Sequence, residues 1–161
     1  MKDPVAEFLG ALQLERGASP NTLSAYRRDL AGFQRFLRDY RRAMRQVGSS
    51  EISQYLLRLK REGLGPRSVA RHLSAVRGLY RFLLREGWLR RDPTEQLETP
   101  RLPQRLPRTL SFEEVAALIE SAEPDSPVGL RDRALLELLY ATGMRASECN
   151  ALRIEDVNLS A

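Results

Sequence analysis

The sequence predicts an all-α protein, in which a four-helix bundle precedes a proline- and arginine-rich segment and further helices. Three observations favour this fold class. Apolar residues recur at the spacing of amphipathic helices, Gly, Ser and Pro separate the helical segments, and no strand pattern occurs before residue 90. With 161 residues and 42% hydrophobic content, the chain can bury one good core, or one core and the beginning of another.

The helices of the bundle are marked by the residues at their ends, because Ser, Asp and Pro favour helix starts and Gly favours helix stops. In chain order the expected helices run from Asp3-Pro4 to Gly17, from Ser19-Pro20 to about Arg45, from Ser49 or Ser50 to Glu62-Gly63, and from Gly65-Pro66 to Gly87. Short connections between them indicate a compact bundle.

Four prolines interspersed with arginines between residues 93 and 107 are typical of an extended, semi-rigid linker. Beyond it, Ser111-Phe112-Glu113-Glu114 is a capping box that opens a helix. The helices expected after the linker end near Ser121, run from about Val128 to Thr142, and run from Arg145 to Arg153. The pattern of residues 154–159 is compatible with the start of a strand.

Charge is distributed unevenly along the chain. Residues 16–108 contain 20 Arg and one Lys against eight acidic residues, a net charge of +13, whereas residues 109–161 contain four Arg against ten acidic residues, a net charge of −6. Binding to a polyanion is therefore expected of the first segment. A GC-rich genome also produces an excess of Arg over Lys, but that bias does not explain why the charges cluster.

Two of the expected helices carry a cationic stripe opposite an apolar one when wound at about 100° per residue. On the fourth helix the stripe includes small residues that let a backbone approach closely, and it consists of Arg67, Arg71, Ser74, Gly78, Arg81 and Arg85. On the second helix it consists of Arg27, Arg28, Arg35, Arg38 and Arg42. Because neither stripe contains an acid, contact with phosphates and guanine edges in a major groove is favoured over a merely solvated surface.

The segment YATGMRASECNALRIEDV, residues 140–157, places Arg145 where one helical pattern ends and the next begins. A guanidinium and the free backbone N–H groups of a starting helix can face one anion there, and Arg suits bidentate recognition of a phosphate. The alternative is an ordinary turn in which Arg145 pairs with Glu148, three residues on. Spacing alone leaves both interpretations open.

The same segment resembles the first catalytic-arginine box of the tyrosine recombinase (phage integrase) family, usually seen as TGLRxSEhxxLRxxDhxL with h apolar, and most of all its Xer-type subgroup. Residues 19–37 and 67–87 resemble the two basic helices of that family's N-terminal DNA-binding domain. The matches occur in family order. They imply a SAM-like core-binding bundle in residues 1–90, a linker in 91–109, and an incomplete N-terminal portion of a catalytic domain in 110–161.

By this resemblance, the two basic helices enter neighbouring major-groove surfaces of duplex DNA. The residues that it implies as DNA contacts are Thr22, Arg27, Arg28, Arg67, Ser68, Arg71, Ser74, Arg77 and Arg81. If about six phosphates are neutralised, the affinity falls about a thousandfold between about 50 and 200 mM salt.

Tyrosine recombinases cut DNA by attack of a Tyr hydroxyl on a phosphodiester, which leaves a 3′-phosphotyrosyl link without a metal. By resemblance, Arg145 is the first of two arginines that stabilise the extra charge of the phosphorane, and Glu148 orients it. The family's Lys, His-x-x-Arg box, second His or Trp, and nucleophilic Tyr have no matching positions in residues 1–161. This polypeptide, which the resemblance makes a truncated recombinase, is therefore expected to bind DNA without cleaving or rejoining it.

No cofactor or metal is expected, since the sequence holds one Cys and one His. The single Cys, the absence of a signal-peptide pattern and the absence of an apolar run of about 18 residues fit a cytoplasmic protein. The expected partners are duplex DNA and either a second copy of the chain or a partner recombinase, not membranes. We expect His72, Tyr140 and Cys149 in or beside a core.

Two alternatives to a recombinase stay open. One is a DNA-binding regulator that occupies recombination sites without cutting them. The other is a helical interaction module whose basic faces bind acidic partners or anionic membrane surfaces.

Overall fold

The structure is a computed structural model that describes residues 3–99, 109–123 and 125–157. Within these ranges every regular element is helical, which confirms the predicted all-α class. The chain divides into two compact units, residues 1–104 and 105–161. In chain order the α-helices are α1 (Pro4–Arg16), α2 (Pro20–Asp39), α3 (Ser49–Arg61), α4 (Pro66–Arg85), α5 (Phe112–Glu120), α6 (Pro127–Thr142) and α7 (Ala146–Cys149).

The helix starts of the first unit follow from their capping residues. Asp3 accepts a hydrogen bond from the backbone N–H of Val5 at 3.0 Å, and Ser19 Oγ accepts one from the N–H of Thr22 at 3.2 Å. A proline follows each cap, and its missing N–H would have had no partner in the first turn. These starts therefore agree with the sequence prediction.

The end of α2 differs from the prediction. The helix stops at Asp39 rather than near Arg45, and Met44–Gln46 forms a separate 3-10 turn. Arg41 has a φ of 49°, a left-handed conformation that a right-handed helix cannot continue.

Helix α4 packs against α1, α2 and α3. As predicted, its apolar face and that of α2 form the core, whose fully buried members include Leu30, Phe33, Phe36, Val69, Leu73, Val76, Leu79, Tyr80 and Leu83. The ring of Phe33 lies 5.1 Å from that of Tyr55 on α3, centroid to centroid. Tyr40, which follows the last residue of α2, and Leu84, in the last turn of α4, are exposed.

The segment after α4 packs on the bundle as far as it is described. Thr94 is fully buried, and its N–H and hydroxyl both donate to Asp92 Oδ1, at 2.8 and 2.6 Å. Leu97 packs against the core. The composition of residues 93–107 predicted an extended linker, but residues 93–99 are held to α4, and residues 100–108 lie outside the described residues. The domain limits at residues 90 and 109 stay a prediction.

The second unit contains α5, α6 and α7. Ser111 and Glu114 form the predicted capping box: the N–H of Glu114 donates to Ser111 Oγ at 3.2 Å, and the N–H of Ser111 donates to the Glu114 carboxylate at 2.8 Å. Helix α6 ends at Thr142, and the φ of 65° at the following Gly143 is the left-handed conformation common after a helix. The expected starts of both helices are correct to within one residue.

The helix that was expected from Arg145 to Arg153 ends at Cys149. The N–H groups of Ala151 and Leu152 bond to carbonyls three residues back, and these tighter bonds terminate the α-helix. The expected strand after Arg153 is also wrong as far as Val157, because Ile154–Asp156 forms a 3-10 turn. Residues 158–159, the rest of that expectation, are not among the described residues.

Few side chains of the second unit are buried in the part that the structure describes. Cys149 is 5% exposed, as predicted. Tyr140 was expected in a core and is instead 56% exposed, since three short helices provide too few neighbours to cover it. Leu130 on the same helix is similarly exposed.

Candidate nucleic-acid interface

The cationic side of α4 faces outward. Arg67, Arg71, Ser74 and Arg81 are exposed, whereas Ser68 and Arg77 are half-buried. The orientation follows from the buried apolar face on the opposite side of the helix, which fixes its rotation about its own axis. The predicted division of α4 into a buried and an exposed face is therefore confirmed.

The three candidates on α2 are exposed, and each has different surroundings. Thr22 Oγ1 lies 3.0 Å from Ser19 Oγ, so this hydroxyl belongs to the helix cap. Arg28 Nε donates to the Ser24 carbonyl at 3.4 Å. Arg27 lines a groove between α1 and α2, whereas Arg81 lines a different cleft, between α1 and α4.

Arg71 is engaged by an acid that the stripe pattern did not reveal. Its Nε donates to Asp29 Oδ2 at 2.8 Å and its Nη2 donates to Asp29 Oδ1 at 3.0 Å. The Asp29 side chain is 3% exposed, while the Arg71 side chain is 46% exposed. The expectation that the cationic stripes have no acid to pair with is therefore wrong for Arg71, because Asp29 reaches it from α2. It is also wrong for Arg85 and Arg42, which pair with Glu15 and Glu51, respectively.

His72 supports the same acid from the core side. Its Nε2 lies 3.2 Å from Asp29 Oδ1, and its Nδ1 lies 2.9 Å from the hydroxyl of Tyr55, which donates to the Asp29 carbonyl at 3.2 Å. Burial lowers the pKa of His72; Asp29 and Glu62 oppose this effect, and Arg71 adds to it. His72 is 8% exposed, which confirms its predicted place beside the core.

Arg77, another candidate contact, holds the chain after α4. Its Nη2 donates to the Leu97 carbonyl at 2.6 Å and its Nη1 donates to Thr99 Oγ1 at 3.1 Å. Arg85 forms a bidentate pair with Glu15 on α1, at 2.7 and 2.9 Å. Both guanidinium groups therefore have partners within the first unit.

The space beside Gly78 is filled by a side chain of α1 and is not open to a ligand. A Cβ atom added to Gly78 would lie 2.9 Å from Phe8 Cζ, closer than such atoms approach in proteins. Beside this contact is a cleft of about 460 Å³, whose lining includes Tyr26, Ser74 and Arg81. The small size of Gly78, from which a close backbone approach is predicted, therefore leaves room for a side chain of the neighbouring helix α1.

The remaining candidate arginines carry uncompensated charge. No acidic side chain of the described residues forms an ion pair with Arg27, Arg28, Arg67 or Arg81. Exposed guanidinium groups of this kind attract phosphates, and each phosphate that they neutralise releases condensed counterions.

Arg145 lies in the second unit, at the start of α7. The N–H of Arg145 donates to Glu148 Oε2 at 2.8 Å, and its Nη1 donates to Glu148 Oε1 at 2.8 Å. These bonds lower the pKa of Glu148. The Arg145 side chain is 82% exposed, so its pair with Glu148 leaves the guanidinium accessible to solvent. The pairing that spacing allowed is present, and it leaves other donors of Arg145 open to an anion.

Asp29 is the residue that sequence reasoning missed. It sits among Leu30, Phe33 and Leu37 on the buried face of α2, where a lone carboxylate is unexpected. A buried acid requires a cationic or hydrogen-bonded partner, so the position of Asp29 on the apolar face of α2 indicates that such a partner exists. The partner could not be identified from the pattern, because Arg71 lies 42 residues away.

Two further properties of the described residues bear on the kind of ligand. No helix among them is both long and apolar enough to span a bilayer. In the same ranges, no group of three or more His, Cys, Asp and Glu side chains is placed so that it could hold a metal ion.

Comparison with known proteins gives matches in both units. Residues 5–87 match the phage integrase N-terminal SAM-like domain, and residues 108–161 match the phage integrase family. The chain is 44% identical over 155 residues to tyrosine recombinase XerD of Pseudomonas aeruginosa, covering 96% of this chain and 52% of that protein. It is 38% identical over 162 residues to XerD of Listeria monocytogenes, covering 99% and 54%. The chain spans about half the length of these curated relatives.

A solved structure has the same fold. The crystal structure of a lambda integrase dimer bound to a COC′ core site superposes with a TM-score of 0.73 at 21% identity, covering 96% of this chain and 42% of that one. At this level of identity the similarity concerns the fold. The SAM-like architecture predicted for the bundle is thereby confirmed.

Proposed function

Because this chain belongs to the phage integrase family of tyrosine recombinases, we propose that its four-helix unit binds duplex DNA and that Arg145 acts at the phosphodiester to be cut. Cleavage and rejoining are proposed for a protein that spans the full length of the relatives. Residues 1–90, 91–109 and 110–161 are proposed as its DNA-binding domain, linker and first catalytic portion. Cytoplasmic location and assembly with a second copy or a partner recombinase are part of the proposal.

The observation that carries DNA binding is the uncompensated charge of exposed arginines on α2 and α4. Arg28, Arg67 and Arg81 are exposed and have no acidic partner in the part of the chain that is described. A folded protein gains little from leaving such groups unpaired, whereas a polyanionic ligand uses all of them. A helix also fits the major groove of B-form DNA, so one face of α4 can contact phosphates and base edges together.

Arg145 suits the chemical step because its charge is oriented and accessible. In the proposed reaction the Tyr oxygen bonds to phosphorus and the 5′ oxygen of the DNA leaves, so the phosphoryl oxygens carry extra charge between these events. Glu148 engages the Arg145 N–H and Nη1, and Nη2 and Nε remain for phosphoryl oxygens. Planar guanidinium donors match two such oxygens in a bidentate way.

The test is the salt dependence of duplex binding by the 161-residue chain, measured by fluorescence anisotropy. If Arg27, Arg28, Arg67 and Arg81 each neutralise one phosphate, the slope of log K against log salt is about −3.6, a loss of about 150-fold between about 50 and 200 mM. This expectation is lower than the one from six phosphates, because Arg71 and Arg77 have internal partners. Arg67→Gln with Arg81→Gln should halve the slope.

The matched control is Arg131→Gln with Arg133→Gln, which removes the same charge from exposed, acid-paired arginines of α6. It should leave the slope unchanged. A parent slope near zero, or an equal effect of both double variants, contradicts the proposed interface. Tighter binding to anionic vesicles than to duplex DNA at equal salt would favour the interaction-module alternative instead.

A further inference from the structure

The buried carboxylate of Asp29 gives Arg71 an electrostatic character that differs from that of its neighbours on α4. The charges of Arg71 and Asp29 cancel, and the deprotonated imidazole of His72 beside Asp29 adds none. Arg67 and Arg81 have no such partner among the described residues. Counterion release depends on the charge that a protein brings to the phosphates, so a neutralised arginine contributes little to it.

The same contact fixes where the guanidinium points. A guanidinium has five N–H donors in one plane, and Asp29 accepts one from Nε and one from Nη2. Both N–H groups of Nη1 and the second of Nη2 take no part in this contact, and the side chain that carries them is 46% accessible. Among these three, one N–H of Nη1 and one of Nη2 lie parallel at the end of the guanidinium, so Arg71 keeps a pair of coplanar donors in a plane fixed by Asp29.

The support behind Asp29 prevents the carboxylate from turning. Its Oδ1 also lies 3.2 Å from His72 Nε2, and Tyr55 donates to the carbonyl of the same residue. Asp29 and Tyr55 each have side chains almost fully buried in the core. Side chains locked by such contacts lose little rotamer entropy on binding, which an unsupported Arg must lose.

A fixed pair of donors with little net charge is better matched to a base edge than to a phosphate. Guanine presents O6 and N7 as two coplanar acceptors in the major groove, which a guanidinium edge bridges. Phosphates are bound equally well by exposed, charged side chains that have no acidic partner among the described residues, as is the case for Arg67 and Arg81. We propose that Asp29 is a positioning residue that dedicates Arg71 to reading a guanine, while the unpaired arginines contact phosphates.

This inference rests on the proposed duplex binding and adds the source of its sequence preference. The experiment selects duplexes from a randomised library with the parent, with Arg71→Lys, and with Arg81→Lys as the matched variant on the same face. Lys keeps the charge and the ion pair with Asp29, so folding is maintained, but it has no second planar edge. Thermal unfolding followed by circular dichroism checks each variant.

The expected result has two parts. The parent enriches duplexes with a guanine at one position, and Arg71→Lys loses this discrimination by about 5- to 150-fold with an unchanged salt slope. Arg81→Lys keeps both the selected motif and the slope. Asp29→Asn frees Arg71 and adds one positive charge, so it should steepen the slope by up to about 0.9 and tighten binding to unrelated duplexes while discrimination falls.

Each contrary outcome overturns a defined claim. If the parent binds duplexes without sequence preference, or if Arg71→Lys retains the parent motif, the assignment of Arg71 and Asp29 is wrong although DNA binding stands. Equal losses of discrimination in Arg71→Lys and Arg81→Lys also overturn it, since Arg71 then has no special part. If the parent does not bind duplexes at all, the proposed function fails and this inference fails with it.

Discussion

Replacement of Gly78 by Ala separates two explanations for a small residue within a cationic stripe. In the structure, the space beside Gly78 is filled by the ring of Phe8 from α1, and an added Cβ would lie 2.9 Å from Phe8 Cζ. If Gly78 instead served the approach of a ligand, the same substitution would leave the fold unharmed and weaken binding. Stability and DNA affinity therefore respond in opposite ways under the two explanations.

The expected magnitude follows from two opposing terms. Ala is favoured over Gly inside a helix by about 1 kcal/mol. Crowding in a well-packed core costs about 1 to 3 kcal/mol. Phe8 cannot easily move away, because it is 4% exposed and its ring lies 5.8 Å from that of Phe82. We expect Gly78→Ala to lower the free energy of unfolding by about 1 kcal/mol.

Gly10→Ala is the matched control, since Gly10 lies within α1 and an added Cβ there meets no atom of the described chain within 4 Å. In this variant only the higher helix propensity of Ala should act, and it should raise the free energy of unfolding by about 0.5 to 1 kcal/mol. In a Phe8→Leu background, Gly78→Ala should lose most of its penalty, because the contacting ring atom is absent.

The assay is urea unfolding followed by circular dichroism and by the fluorescence of Trp88, the one tryptophan of the sequence. Duplex affinity of folded Gly78→Ala should stay within about twofold of the parent, since each tenfold change needs about 1.4 kcal/mol of lost contact and α1 covers the site. The reasoning is refuted if Gly78→Ala stabilises the chain as much as Gly10→Ala does.

Two further predictions concern His72 and Arg145. Burial lowers the folded-state pKa of His72 from its ordinary value of about 6.5, with Asp29 and Glu62 opposing the shift and Arg71 adding to it, so the unfolded chain binds the proton more readily. The contribution of His72 to stability should therefore be complete above about pH 6.5 and decline as the pH falls from there toward the folded pKa. Thermal unfolding midpoints that stay level or rise on acidification between about pH 7.5 and 5.5 would contradict this. The His72→Gln variant should show a smaller decline. Arg145→Ala should leave the thermal midpoint unchanged within error, because its pair with Glu148 is exposed on both sides; a large loss of stability would indicate that this arginine is structural.

Local rules were enough to predict most of the helices. Ser19, Ser111 and the prolines that follow helix caps act within one turn, and the buried and exposed faces of α4 follow from a period of 3.6 residues. The errors lie where distant or competing contacts decide. The early end of α2 depends on the left-handed Arg41, and the short α7 depends on three-residue hydrogen bonds after Cys149. Neither has a strong sequence signal.

The exposed face of α4 could be predicted from the sequence, but the partners of its arginines could not. A helical wheel identifies residues that share one side of a helix, so it placed Arg67, Arg71 and Arg81 in one stripe. It cannot show that Asp29 reaches Arg71 across 42 residues, or that Leu97 and Thr99 return to Arg77. Chain folding therefore divides one uniform stripe into arginines with different roles.

That division changes what the net charge of the first segment means. Three acids of this segment, Asp29, Asp39 and Glu51, are paired with Arg71, Arg58 and Arg42, respectively. Glu15, which lies just before the segment, is paired with Arg85. The total of +13 between residues 16 and 108 governs long-range attraction, whereas the salt slope follows the number of phosphates actually neutralised. If the unpaired arginines define the contact, removing the charge of Arg58 should slow association without altering the slope. Removing the charge of Arg67 should alter both the association rate and the salt slope, because Arg67 has no acidic partner among the described residues.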